Sequence, residues 1–283
     1  MARKKTAHIP YQQFVPCIDR KEKNAYMLHA DTCKYCGKRI AQTEYALRLQ
    51  TEVLAQFAPV GEAMRLFPLT EKELCVAAAL CGYQSLYGVK QSRNAKKNIT
   101  ESVKKALQNL EKMRAAEISV SGEAKIDAQL AACLRTYCET PQLTVYKIHS
   151  PSYGKHTFYC TADSEQAVVL VKTQHTQYAL FQLNSAERIR AKNPQNEIRL
   201  SKAVFLQARA QIEAFDTEKA QSVLSEYGLT SAESAVVLAV LLQNASVCMC
   251  NTYDTKTGQL QLRDSRVLAE TDAGTAEIQF TDM

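Results

Sequence analysis

The stretch of sequence that decides the fold runs from Phe67 to Gly82 and reads FPLTEKELCVAAALCG. Glu73 lies three positions after Thr70, which is the spacing of a capping box. In this arrangement the threonine hydroxyl accepts a hydrogen bond from the amide of Glu73, and the carboxylate accepts one from the amide of Thr70. Gly82 suits the position that ends a helix because glycine adopts positive φ without strain. The stretch therefore predicts a short, buried helix over residues 70–81.

The same pattern returns 160 residues later in the chain. Tyr227-Gly228-Leu229-Thr230 is followed by Glu233 and by an apolar run that ends at Leu242. One interpretation is that Leu-Thr-x-x-Glu is a common helix start, found wherever a buried helix needs an N-cap. The other is that the chain consists of two related halves, each with helices followed by strands, packed about a pseudo-twofold axis.

The elements around these two stretches indicate an α+β fold. Apolar residues at helical spacing predict helices over 41–58, 98–114, 127–137, 201–214, 217–226 and 231–242. Period-2 alternation predicts a four-stranded meander, Leu143–His149, Lys155–Thr161, Gln166–Thr173 and Gln177–Leu183. Shorter strands are expected in a hairpin over 118–126 and in the tail over 246–253, 259–262 and 276–280, whereas 184–196 is expected to be a loop or a frayed helix.

The charge of the chain is concentrated at its N-terminus. The first 40 residues carry nine Lys or Arg and three Asp or Glu, and so account for the whole net charge of +6. We therefore expect a basic N-terminal segment over 1–45, a first α+β half over 46–196 and a second over 197–283. No stretch approaches the roughly 20 apolar residues of a spanning helix, and the first residues lack the apolar block of a signal peptide. These features favour a cytoplasmic protein with reduced cysteines.

The N-terminal segment contains a candidate metal site. Two thiolates two residues apart, as in Cys33-Lys34-Tyr35-Cys36, can bind one Zn²⁺. The nearest side chains that complete a tetrahedral set are Cys17 and His29. A structural zinc ion held by Cys17, His29, Cys33 and Cys36 would explain how a small polar segment folds. The alternatives are a loop with two thiols and no metal, or a redox pair. A redox pair normally opens a helix after a strand, and no strand is predicted before Cys33.

A basic cluster over 90–114 is a candidate nucleic-acid site. It holds eight basic and two acidic residues. The order of helix, loop, basic helix and hairpin resembles a winged helix, whose recognition helix turns cations toward phosphates. The phosphate contacts expected on this interpretation are Lys96, Lys97, Lys104 and Lys105. The alternative is a solvated helix face, which is the usual role of a charge run. The corresponding function is a winged-helix DNA-binding transcriptional regulator with a zinc-stabilised basic arm.

No complete catalytic motif is present. The sequence lacks the common phosphate-binding, zinc-protease and nucleophile-elbow patterns. His149, His156 and His175 fall in or beside the meander, where neighbouring strands bring side chains together. No Asp or Glu lies at a spacing from them that would indicate a catalytic or metal-binding group. We therefore expect no enzyme activity and no catalytic residue. A hydrolase or nuclease whose site assembles from distant residues is a third interpretation.

The stretch from Phe67 to Gly88, with its restart at Tyr227, resembles the EspG-type chaperones of type VII secretion systems and uncharacterised proteins encoded beside such systems. The resemblance extends over roughly residues 65–283 and excludes the cysteine-bearing segment. It implies a two-half α+β protein with a sheet flanked by helical bundles, without enzyme activity. It also implies a cytoplasmic chaperone or adaptor that binds the tip of a helical-hairpin secretion substrate. The shared motifs are short, so the resemblance assigns no substrate-contacting residue.

Overall fold

A computed structural model describes residues 33–58, 63–89, 99–163, 166–174, 177–184, 191–255, 259–272 and 274–281. The chain forms two compact units, each built from three separate segments. Unit 1 comprises 1–51, 61–139 and 163–188, and unit 2 comprises 52–60, 140–162 and 189–283. The described residues form helices and mostly antiparallel strands in alternating groups, which confirms the α+β class that the sequence predicts.

Seven helices lie in the described part of the chain. They are α1 (Lys34–Ala55), α2 (Glu71–Leu80), α3 (Ile99–Lys112), α4 (Ala128–Glu139), α5 (Lys202–Glu213), α6 (Thr217–Glu226) and α7 (Ser231–Leu241). None of these helices is both long enough and apolar enough to cross a bilayer.

Eleven strands lie in the same residues. They are β1 (Ala63–Thr70), β2 (Ala116–Ile118), β3 (Ala124–Ile126), β4 (Gln142–Ser150), β5 (Gly154–Ala162), β6 (Gln166–Gln174), β7 (Gln177–Asn184), β8 (Asn196–Leu200), β9 (Val247–Asp254), β10 (Gln261–Thr271) and β11 (Gly274–Phe280). The four strands of the predicted meander are confirmed to within one residue at each end. Their bounds are predictable because the apolar alternation stops where the turn residues begin.

Unit 1 contains a strand that the sequence does not predict. Strand β1 pairs antiparallel with β7, which pairs antiparallel with β6. Pro68 lies inside β1, and a proline in a sequence argues against a strand. Proline is tolerated here because β1 is an edge strand, so that the missing N–H faces no partner strand. Leu66, Phe67 and Leu69 are almost completely buried. Phe67 and Pro68, which directly precede the Leu-Thr-x-x-Glu pattern, therefore belong to a strand in this unit.

The predicted helix start in unit 1 is confirmed. The amide of Glu73 donates to Oγ1 of Thr70 over 3.3 Å, and the amide of Thr70 donates to Oε2 of Glu73 over 2.8 Å. Helix α2 ends at Leu80, and Gly82 has a φ of +90°. Helix α3, the hairpin of β2 and β3, and helix α4 follow in the predicted order. That order alone does not establish a winged-helix domain, which stays a prediction.

The strands of unit 2 follow the order β5-β4-β9-β10-β11-β8. All of these neighbours are antiparallel except β8, which is parallel to β11. Strand β8 begins at residue 196, where the segment that the sequence assigns to a loop or a frayed helix ends. Its alternation of buried Ile198 and Leu200 is too short to be recognised in the sequence. Strand β10 continues to Thr271, beyond the predicted end at residue 262, because the exposed residues Arg263, Asp264 and Ser265 read as a polar loop.

Helices α5, α6 and α7 pack on one face of the last strands of unit 2. Val267 lies opposite Ile278, and Ala269 lies opposite Ala276, so that these four side chains point to the same face. They form one cluster with apolar side chains of the three helices, Val204, Phe205, Ala208, Ala220, Leu224, Val237 and Leu238. Phe205 contacts the ring of Phe280 edge to face, with ring centroids 5.4 Å apart.

The second capping box is also confirmed. The amide of Thr230 donates to Oε2 of Glu233 over 2.7 Å, and the amide of Glu233 donates to Oγ1 of Thr230 over 3.3 Å. The two copies of the pattern thus begin two helices in the same way. In unit 2, however, the pattern follows helix α6 rather than a strand. The relation between the two predicted halves stays a prediction.

Candidate protein-binding surface

The structure places half of the predicted zinc quartet. Cys17 and His29 lie outside the described residues, whereas Cys33 directly precedes α1 and Cys36 lies in its first turn. The amide of Gly37 donates to the carbonyl of Cys33 over 2.8 Å, which is the first helical hydrogen bond. The pair therefore opens a helix and does not lie in a loop. Within the described ranges no three His, Cys, Asp or Glu side chains are grouped to hold a metal ion. The zinc site stays a prediction.

The structure places two of the four predicted phosphate contacts. Lys96 and Lys97 lie outside the described residues, and Lys104 and Lys105 are exposed on α3. Exposure of lysine on a helix is equally expected for a solvated face, so the nucleic-acid interpretation also stays a prediction.

The histidines of the meander do not form a cluster in the described strands. His149 and His156 lie on opposite faces, because His156 is paired with Ile148, the neighbour of His149. A ring nitrogen of His156 lies 2.8 Å from the carbonyl oxygen of Tyr153. His175 lies outside the described residues.

Sequence reasoning missed the buried ion pair of unit 1. Nη2 of Arg39 donates to Oε2 of Glu73 over 2.5 Å, and Nη1 lies 3.0 Å from the sulfur of Met113. Nδ2 of Asn109 donates to Oε1 of Glu73 over 3.2 Å. The ion pair therefore connects α1, the cap of α2 and the face of α3. Arg39 lies in the N-terminal segment for which the sequence predicts no regular structure. Nothing in the local sequence therefore indicates that Arg39 is buried or paired with Glu73.

The ion pair holds Glu73 in its charged form. Burial acts to raise the pKa of this carboxyl group, but the hydrogen bond and the positive charge of Arg39 outweigh burial. The pKa of Glu73 is therefore lowered from its ordinary value. This chemistry is typical of a structural buried pair, because every oxygen of the carboxylate already has a donor within the protein.

One face of the strands of unit 2 is partly open to solvent. Lys147 lies opposite Met249 on one side and Thr157 on the other, and Leu262 lies opposite Tyr253. Directly paired residues share a face, and alternate residues along a strand return to it. On the same face Leu143, Val145, Thr161 and Asn251 are buried. We give the name open face to the exposed and half-buried part alone and define it by six side chains: Lys147, Thr157, Tyr159, Met249, Tyr253 and Leu262.

The other face of the same strands is closed. Tyr146 lies between Phe158 and Cys250, and Ile148 lies opposite Cys248. All five side chains are buried. Burial raises the pKa of Cys250 to about 11, so this thiol stays protonated and acts as a small apolar group. Cys248 and Cys250 share one face of β9 because alternate residues of a strand point to the same side.

The open face exposes large apolar groups beside the core of unit 2. Met249 is 42% exposed and Leu262 is 58% exposed, while the rings of Tyr159 and Tyr253 are half-buried. Val267, which lies opposite Met249 and on the same face, belongs to the cluster under α5–α7. The solvated face of an antiparallel sheet is usually polar. Exposed apolar and aromatic side chains next to a buried core instead mark an interaction surface.

The comparisons with known proteins give a structural match but no sequence match. No family model matches the chain, and no curated protein matches it. The Mycobacterium tuberculosis type VII secretion system chaperone EspG5, solved in complex with the PE25-PPE41 dimer, matches with a TM-score of 0.45 and 8% sequence identity. The match covers 74% of this chain and 84% of the EspG5 chain. At this level the likeness concerns the arrangement of the elements alone.

Proposed function

We propose that this chain is a non-enzymatic, cytoplasmic protein-binding adaptor or chaperone that holds its partner against the open face of unit 2. The observation that supports the proposal is the exposure of Met249 and Leu262 beside a closed core on the same strands. Methionine and aromatic groups are enriched in protein interfaces, where they supply adaptable apolar contact area.

The energetics of the open face suit partner binding. Burial of an exposed Met or Leu side chain contributes roughly 1.5–3 kcal/mol when it is complete. Strand pairing already fixes the backbone of Met249 and Leu262, so a partner that covers them has to order only their side chains. Lys147 at one end of the open face remains at the rim, where a charge affects the association rate more than the affinity.

We propose a helical-hairpin protein, such as a type VII secretion substrate, as the partner. This class comes from the resemblance of the Phe67 and Tyr227 stretches to the secretion chaperones. The tip of a helical hairpin presents both apolar and polar side chains. Such a mixture complements an apolar surface with a polar rim.

Co-purification with the helical-hairpin proteins encoded nearby tests the proposal. The double substitution Met249→Glu with Leu262→Glu places two charges on the open face, and we expect it to abolish co-purification. Both side chains are more than 40% exposed, so the fold should persist in this variant, as circular dichroism would show. Val120→Glu is the matched control because Val120 is fully exposed in the turn between β2 and β3 of unit 1.

Failure of every hairpin protein to bind the unmodified chain at micromolar concentration would contradict the proposed partner class. Retained binding by the double variant would contradict the proposed surface.

A further inference from the structure

We propose that Cys33 and Cys36 form a reversible disulfide within the first turn of α1, so that this helix start is a dithiol–disulfide site. The proposal concerns unit 1 and does not depend on the proposed partner. Both cysteines are thiols in the structure. The sequence argues against a redox pair because no strand is predicted before Cys33, whereas the structure shows that the pair does open a helix.

The backbone places the two cysteines in the same helical turn. The carbonyl of Cys33 accepts the first helical hydrogen bond, from the amide of Gly37, so the residue occupies the N-cap position and Cys36 the third helical position. Residues three apart in a helix have Cβ atoms about 5–6 Å apart, and a disulfide needs about 3.5–4.5 Å. The N-cap residue has non-helical dihedral angles and so can close that gap.

The two thiols differ in access, as a nucleophilic and a resolving cysteine must. Cys33 is partly exposed, whereas Cys36 is 2% exposed. The exposed thiol therefore reacts first, and the buried thiol reacts only with the sulfur beside it.

The oxidant is a low-molecular-weight disulfide, RSSR. The thiolate of Cys33 attacks one sulfur of RSSR, which breaks the S–S bond, forms a mixed disulfide and releases one RS⁻. Cys36 then loses its proton and attacks the sulfur of Cys33, which forms the Cys33–Cys36 bond and releases the second RS⁻. The two cysteines lose two electrons and two protons, and RSSR becomes two RSH. A dithiol reverses the reaction by the same steps.

Mass spectrometry of the full chain in a glutathione buffer tests the site. The probe is oxidised glutathione, added to the reduced protein, followed by alkylation and peptide mapping. We expect the peptide that contains Cys33 and Cys36 to lose two hydrogen atoms and to resist alkylation until dithiothreitol is added. In Cys36→Ser the mixed disulfide with glutathione should instead accumulate on Cys33.

Cys248 and Cys250 are the matched control pair within the same chain. They lie two residues apart on one face of β9 and are buried, so oxidised glutathione should leave both unmodified until the protein unfolds. Continued alkylation of Cys33 and Cys36 under oxidising conditions would overturn the proposal. A bound zinc ion that protects both thiols from glutathione would also overturn it and would favour the metal site.

Discussion

At the scale of single residues, Glu73 has two roles, and the sequence reveals only one of them. Its role in the capping box follows from its spacing to Thr70, because a cap is a local arrangement. Its ion pair with Arg39 joins residues 34 positions apart, and no local pattern encodes such a contact. The candidate metal ligands show the same limit, since the spacing of Cys33 and Cys36 is visible while the helix that begins between them is not.

The substitution Glu73→Gln should destabilise unit 1 strongly. It leaves the guanidinium of Arg39 buried without its counter-charge, and loss of one member of a buried ion pair costs about 3–5 kcal/mol. Glu233→Gln is the matched control, because Glu233 occupies the same capping box without a buried arginine. Urea unfolding should show a loss of at most about 1 kcal/mol for the control. Equal losses for the two variants would show that the ion pair contributes nothing beyond the cap.

Acid should remove the stabilisation that Glu73 provides. Because the pKa of Glu73 is lower in the folded protein than its ordinary value of 4.5, the unfolded chain takes up the proton first as the pH falls. The contribution is therefore complete above the ordinary pKa and is lost as the pH falls through the lowered pKa. Unfolding free energies of the wild type and of Glu73→Gln, measured from neutral pH to below pH 4, should converge in acid. A constant difference over this range would contradict the assignment of the lowered pKa to Glu73.

At the scale of elements, prediction succeeds where helix or strand periodicity is long and fails where it is short or interrupted. The four strands from Gln142 to Asn184 are predicted almost residue by residue, whereas β1 is hidden by Pro68 and β8 by its length of five residues. Helix α1 begins at Lys34, earlier than the predicted start at 41, because its first turns carry charged side chains among the buried ones. Tertiary packing determines the secondary structure of these segments, and packing cannot be inferred from the local sequence.

The end of α5 stores strain that a single substitution should relieve. Phe215 follows the helix with a φ of +61° and is 98% exposed, so the left-handed conformation is not offset by burial of the ring. An L-residue in this conformation costs roughly 1–2 kcal/mol relative to glycine. Phe215→Gly should therefore raise the melting temperature of the protein in calorimetry, after allowance for the greater flexibility of glycine in the unfolded chain. A lower melting temperature would show that the ring of Phe215 makes stabilising contacts.

At the scale of the whole molecule, the sequence predicts the α+β class and the repeated helix start but not the surface that we propose as functional. Met249 and Leu262 both fall in predicted strands, and alternation alone assigns each to one of two faces. Which face is closed depends on the pairing of β4, β9 and β10 and on helices α5–α7, which cover the face of Met249 only at Val267 and the strands beyond it. Strand pairing and helix packing join residues that are distant in the sequence, so the sequence alone cannot distinguish the open face from the opposite face that holds the buried cysteines.

The most direct test of the protein-binding role is a calorimetric titration of a helical-hairpin protein into the full chain. The unmodified chain and the Val120→Glu control should bind with the same affinity. Met249→Glu with Leu262→Glu should weaken binding by more than about 30-fold, as expected when two apolar anchors worth at least about 1 kcal/mol each are lost. An unchanged affinity in the double variant would contradict the assignment of the open face as the binding surface.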